Sequence, residues 1–150
     1  MKLVSPAFKQ GAKIPAKYTC DGENISPPLT ISDVPSETKS LALIMEDPDV
    51  PRNIREDGMW DHWVVFDMPG DLCEIREGEE PEGTHGIGTG ENLSYFGPCP
   101  PDREHRYFFK FYALDMELGL PEKATKQEVE KAMESHILSK AELMGTYERS

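Results

Sequence analysis

Tyr95-Phe96-Gly97-Pro98-Cys99-Pro100-Pro101-Asp102-Arg103-Glu104-His105-Arg106-Tyr107-Phe108-Phe109 is a proline-locked loop running into a strand. Three prolines in four residues hold φ near ~−65° and remove backbone donors, so the loop is neither helix interior nor central strand. The β-prone run that follows sets His105 and Tyr107 at i and i+2. On a strand they share one face, with Arg106 on the other. An imidazole beside a phenol suits a polar pocket better than plain core packing.

Working outward, the strand is predicted over Arg106 to Asp115. Upstream, Ser40-Leu41-Ala42-Leu43-Ile44-Met45 is a continuous apolar run that Pro48 stops before helix length, so it reads as a buried strand. The charged loop Pro51 to Gly58 leads to a second buried strand, Trp60 to Met68, with His62 near its start. Asp71 to Gly90 is an acidic, glycine-rich connection holding one short strand at Cys73-Glu74-Ile75. Five prolines before residue 36 leave edge strands and loops, among them Tyr18-Thr19-Cys20 and Leu29-Thr30-Ile31. A helix is predicted from the capping box Thr125-Lys126-Gln127-Glu128, with Val129, Met133 and His136 or Ile137 as its apolar face. Gly145 and the β-prone tail favour a short final strand. The expectation is a mostly β chain with a C-terminal helix, one domain over residues 1–150.

The totals narrow the function. A net charge of −12 repels nucleic acid backbones and anionic membranes, so neither is expected as a bulk partner. Any anion site must use close, directed donors. No run approaches membrane-spanning length, and the N-terminal apolar stretch is too short and proline-broken for a signal peptide. Cys20, Cys73 and Cys99 are odd in number and form no CxxC pair. They are expected as free thiols, which points to a cytoplasmic location.

The candidate chemistry sits where strands meet loops: Asp47 and Asp49 after one strand, His62 in a second, His105 and Tyr107 in a third. Antiparallel strands can bring such ends to one rim. Two imidazoles and a phenol can donate to an oxyanion, and a carboxylate beside an imidazole fixes its tautomer. Backbone N–H groups around Gly97 could add donors. Plainer readings compete: Asp47-Pro48-Asp49 as a turn, His62 against a core wall, His105 and Tyr107 on an exposed face, His85 in a loop and His136 on the surface. No cofactor is called for. Gly86-Ile87-Gly88-Thr89-Gly90 lacks the strand and helix of a nucleotide loop, and nothing in the spacing supports a zinc site of His62, Cys99 and His105.

The apolar strand ending Asp47-x-Asp49 also resembles the nucleophile motif of haloacid dehalogenase-type phosphatases. That likeness implies a magnesium-dependent phosphatase with Asp47 as nucleophile. Pro51 in place of the expected Thr or Val, and the shortage of alternating helices, weigh against it.

Taken in order, Ile25-Ser26-Pro27-Pro28-Leu29, Asp47-Pro48-Asp49-Val50-Pro51, Trp60-Asp61-His62-Trp63, Tyr95-Phe96-Gly97-Pro98-Cys99-Pro100-Pro101 and His105-Arg106-Tyr107 resemble the phosphatidylethanolamine-binding protein family, which includes Raf kinase inhibitor protein, and its bacterial and archaeal branch in particular. The resemblance implies a Greek-key-like sandwich of two antiparallel sheets with a helix near the C-terminus. It also implies a pocket for phosphate, phosphorylethanolamine-like groups or acetate, using Asp47, His62, Gly97, Pro98, His105 and Tyr107 with Asp49 at its edge. A cis Val50–Pro51 bond is expected in the same loop. Animal members commonly carry two histidines where this chain has Asp61-His62, and no equivalent of their closing C-terminal aromatic can be assigned here. The implied role is a non-catalytic binding protein or an inhibitor of a kinase or a serine protease. Monomer and homodimer both stay open.

Overall fold

The computed structural model describes residues 1–149. Strands β1 (Lys2–Val4), β2 (Leu29–Ser32), β3 (Ser40–Asp47), β4 (Trp60–Pro69), β5 (Glu74–Ile75), β6 (Thr84–His85) and β7 (His105–Leu114) precede helix α1 (Lys126–Met133) and strand β8 (Ile137–Tyr147). They form two antiparallel sheets, ordered β1-β2-β5 and β6-β4-β3-β7-β8.

β3 explains why its sequence is apolar without alternation: it is central in the larger sheet and both its faces are covered. Leu41, Leu43 and Met45 pack with Trp63, Phe109 and Phe111 against Leu3, Leu29 and Ile31 of the smaller sheet. Ala42 and Ile44 point the other way, joining Val64, Phe66, Val129 and Met133 beneath the helix. β7, covered less completely, keeps the alternation that β3 lacks.

The helix starts as predicted. The Thr125 hydroxyl accepts from the Glu128 amide at 3.2 Å and the Glu128 carboxylate accepts from the Thr125 amide at 3.0 Å. It ends earlier than expected, at Met133, where Ser135 turns the chain with φ 67°. His136 and Ile137 therefore lie outside the apolar face. Ile137 opens β8, an eleven-residue strand paired along β7 rather than a short closing piece.

Three local expectations change. Tyr18 completes a 3-10 turn, Ala16–Tyr18, where an extended segment was expected, because Thr19 caps it back onto the Ala16 carbonyl. β2 is the middle strand of its sheet, not an edge. Thr84 and His85 pair with β4, so His85 is a strand residue, not a loop one. Among the described residues no helix is long and apolar enough to cross a membrane.

The antiparallel order determines where chemistry can gather. β3 runs against both neighbours, so its C-terminal end meets the starts of β4 and β7: Asp47 pairs with Trp60, and Glu46 with Phe108. Alternation along β3 and β7, with a bulge in β4 between Asp61 and Trp63 that turns His62, then sorts the polar side chains by face. Glu46 and Asp61 turn toward the helix, where buried Lys126 pairs with Asp61 at 2.9 Å and approaches Glu46 at 3.9 Å. Asp47, His62, His105 and Tyr107 turn the other way.

Candidate functional site

Those four side chains meet in a cavity of about 250 Å³ at the end of the large sheet. Its walls are apolar, from Val50, Ile54, Trp60, Phe96 and Pro101, with Cys99 contributing to the loop side. Ile54 and Phe96 remain exposed, so the cavity has an apolar rim.

Asp47 carries two jobs at once. One carboxylate oxygen accepts from the Asp49 amide at 2.7 Å, closing the turn that Asp47-Pro48-Asp49 suggested. The other lies 2.6 Å from His105 Nδ1. Burial pushes the Asp47 carboxyl above the usual carboxylate range, against the hydrogen bonds from His105 and Asp49. The far nitrogen of His105, Nε2, lies 2.7 Å from an oxygen of Asp102. His105 itself is fully buried, which rules out the exposed-face reading.

His62 differs from the donor role expected of it. Its Nδ1 lies 2.7 Å from the Phe96 carbonyl. A carbonyl only accepts, so Nδ1 carries the hydrogen and Nε2 presents a lone pair. Burial brings the imidazole down to about 4, so the ring is neutral near pH 7. His62 faces the cavity with an acceptor nitrogen.

Tyr107 supplies the complementary group. Its ring stands edge-on to His62 at 5.4 Å between centroids. Its hydroxyl is buried and makes no close hydrogen bond among the described residues, with the Asp47 carboxylate its nearest polar neighbour in effect. Burial, with the nearby Asp47 charge adding to it, holds the phenol well above its usual range, so it is protonated and able to donate.

The remaining expected residues support the wall without facing the cavity. Asp49 forks onto Arg106, accepting from its Nε at 2.9 Å and its Nη2 at 2.8 Å, on the opposite face of β7 from His105. These bonds hold the Asp49 carboxyl below its usual range. Gly97 donates its N–H to Asn24 at 2.8 Å, so that N–H is not free for a ligand. A Cβ there would sit 2.1 Å from the Tyr18 carbonyl oxygen, so the glycine admits a neighbouring loop. Pro98 accepts from the Cys20 amide at 3.1 Å.

Cys20 and Cys99 form a disulfide across 79 residues of sequence, contrary to the expectation of free thiols; Cys73 is free and exposed. Their pairing depends on the 3-10 turn packing against the proline loop, a tertiary contact that spacing does not reveal. It also removes Cys99 as a zinc ligand beside His62 and His105. No cis peptide bond occurs among the described residues, so Val50–Pro51 is trans. Asp61, taken up by Lys126, leaves pocket polarity to His62 alone at that point.

Residues 4–148 match the phosphatidylethanolamine-binding protein family. The chain belongs to that family. Relatives include UPF0098 proteins of Chlamydia pneumoniae, 53% identical with both chains covered in full, and of Methanothermobacter thermautotrophicus, 48% identical over 99% of each. Among solved structures, a phosphatidylethanolamine-binding protein homologue from Chlamydia trachomatis superposes with a TM-score of 0.97 at 50% identity, covering 99% of this chain and 97% of the other. E. coli YbcL, described as a member of the mammalian phosphatidylethanolamine-binding protein family, gives 0.88 at 27% identity, covering 99% and 98%. Family membership and the antiparallel sheets remove the fold on which the phosphatase reading depended. Asp47 within this family fold is a buried partner of His105, not an open nucleophile.

Sequence reasoning missed Asp102 and the walls Val50, Ile54, Trp60 and Phe96. Asp102 had a signal: an acid three residues before a histidine. Val50, Trp60 and Phe96 lie within the stretches that carry the family resemblance, but no spacing marked them, or Ile54, as walls.

Proposed function

We infer that this chain is a non-catalytic binding protein whose cavity takes one small anion of the phosphate or phosphorylethanolamine type. The observation that carries the reading is the buried Tyr107 hydroxyl, which makes no close hydrogen bond, opposite the free Nε2 lone pair of His62. A bound group must accept from the phenol and donate to the imidazole. A phosphomonoester carrying one proton does both, with second pKa near ~6. The apolar walls exclude water around that pair and strengthen both bonds.

The chemistry argues against turnover. Cys99 is bonded to Cys20, both nitrogens of His105 face carboxylates, and His62 has no hydroxyl or thiol to activate. The exposed Ile54 and Phe96 at the rim suit a protein partner presenting an acidic or phosphorylated side chain. Inhibition of a kinase or a protease would act by that route. A cytoplasmic location loses its thiol argument with the Cys20–Cys99 bond, which fits an oxidising compartment better.

Calorimetric titration with inorganic phosphate and with phosphorylethanolamine tests the reading on wild type and Tyr107→Phe. Loss of one hydrogen bond to a charged group weakens affinity by roughly tenfold or more. Equal affinity in the two proteins, or no saturable binding to wild type, overturns it.

A further inference from the structure

Two acids flank His105, and they are held in very different ways. Asp47 is buried, fixed by the Asp49 amide, and belongs to the end of β3. The Asp102 side chain is 39% exposed and sits in the bend after the prolines, outside any strand or helix. Its second oxygen lies 3.7 Å from the Arg103 side chain, itself largely exposed, and the Arg103 amide is also close to the carboxylate. The bond to His105 Nε2 at 2.7 Å is therefore the main contact that keeps the Asp102 carboxylate in place. That bond also engages the second ring nitrogen of a fully buried imidazole, since Nδ1 belongs to Asp47. Pro101 and His105, on either side of this carboxylate in sequence, both line the cavity with Tyr107, while Asp102 itself lies just outside it, in a surface cleft with Pro100, Pro101 and Arg103.

We propose that Asp102 is a specificity-determining residue of the pocket, an internal carboxylate that occupies the anion's place on His105 until a stronger anion displaces it. The assignment rests on the anion-pocket reading above. An entering phosphate-type oxygen accepts from His105 Nε2–H as the Asp102 oxygen does. Displaced, Asp102 swings to solvent at little cost, because it is already partly exposed and leaves no buried group behind. A neutral ligand cannot repeat the exchange: it would replace a charge-assisted bond with an ordinary one. Asp102 thus filters for anions in an acidic protein whose overall field offers them no help.

The test compares wild type, Asp102→Ala, Asp102→Asn and the remote control Asp33→Asn by calorimetry with inorganic phosphate, phosphorylethanolamine and acetate. Asp33 is exposed, pairs only with exposed Lys2 at 3.5 Å among the described residues, and lines no part of the cavity, so its change alters net charge and one surface ion pair away from the site. Removing the competing charge-assisted bond is expected to tighten phosphate binding by about tenfold in Asp102→Ala, and by less in Asp102→Asn, whose amide still accepts. The His105 ring nitrogens should shift on binding in every variant. Saturable wild-type binding with an equal or weaker Asp102→Ala overturns the assignment while leaving the pocket reading standing. A matching gain in Asp33→Asn overturns it too, by showing a general charge effect. Absence of binding to every protein overturns both.

Discussion

Breaking the Cys20–Cys99 bond should cost global stability while leaving the pocket formed. The bond closes a loop with a sequence separation of 79. Chain entropy for a loop of that length is about 15 cal/mol/K, or about 4.5 kcal/mol at 25 °C. Residual structure in the reduced chain lowers this, so about 3–4 kcal/mol is expected. With a urea slope of about 2 kcal/mol/M, the midpoint falls by about 2 M in Cys20→Ser/Cys99→Ser. The native loop should survive, because three other ties join the same two segments: the Tyr95 hydroxyl to the Tyr18 carbonyl at 2.7 Å, the Gly97 amide to Asn24 at 2.8 Å, and the Cys20 amide to Pro98 at 3.1 Å. Fluorescence of buried Trp63 gives the unfolding curve. Each single serine variant should match the double within about 0.5 kcal/mol, since either one already opens the bond. A midpoint shift under about 0.3 M, or three titratable thiols in denatured, unreduced wild type, would refute the reasoning.

The other predictions follow from single contacts. Gly97→Ala should destabilise by about 2–3 kcal/mol in urea melts, since its Cβ meets the Tyr18 backbone; Gly90→Ala, whose nearest contact would be 3.5 Å, should cost under about 1 kcal/mol. Asp47→Ala removes one partner of a buried pair and should cost about 3–5 kcal/mol, and an unchanged melting curve would contradict the buried pairing. His62 is lowered from 6.5 to about 4, so the unfolded chain takes up its proton first as pH falls. Its contribution is complete above about pH 6.5 and is lost progressively toward pH 4, on the order of 3 kcal/mol in all. Stability measured against pH should be flatter across that window in His62→Gln than in wild type.

The fold was legible where periodicity and punctuation agreed. The unbroken run at Ser40–Met45 marked the strand buried on both faces, and the i, i+2 spacing of His105 and Tyr107 placed both on the inner face of β7. The capping box located the helix start. Its end was not legible, because His136 and Ile137 fit the helical period and only the positive φ of Ser135 takes them out of it. Strand ends suggested that Asp47, His62, His105 and Tyr107 could share a rim, but the β4 bulge that turns His62 to that face was not legible. Nor was what the residues could do there. The tautomer of His62 is decided by the Phe96 carbonyl, 34 residues away, and the fate of the Gly97 amide by Asn24, 73 residues away. The disulfide belongs with these, as a contact between segments that local patterns do not connect.

The account stands most directly on the rings of His62 and His105. Nitrogen-resolved NMR of all four histidines should show His62 neutral, with hydrogen on Nδ1, at pH 6.5 before any ligand is added. Titration with phosphorylethanolamine should then move His62 Nε2 and His105 Nε2 along one saturating curve, with His85 and His136 unmoved. Response confined to His85 or His136, or a His62 already protonated at that pH, would contradict the account.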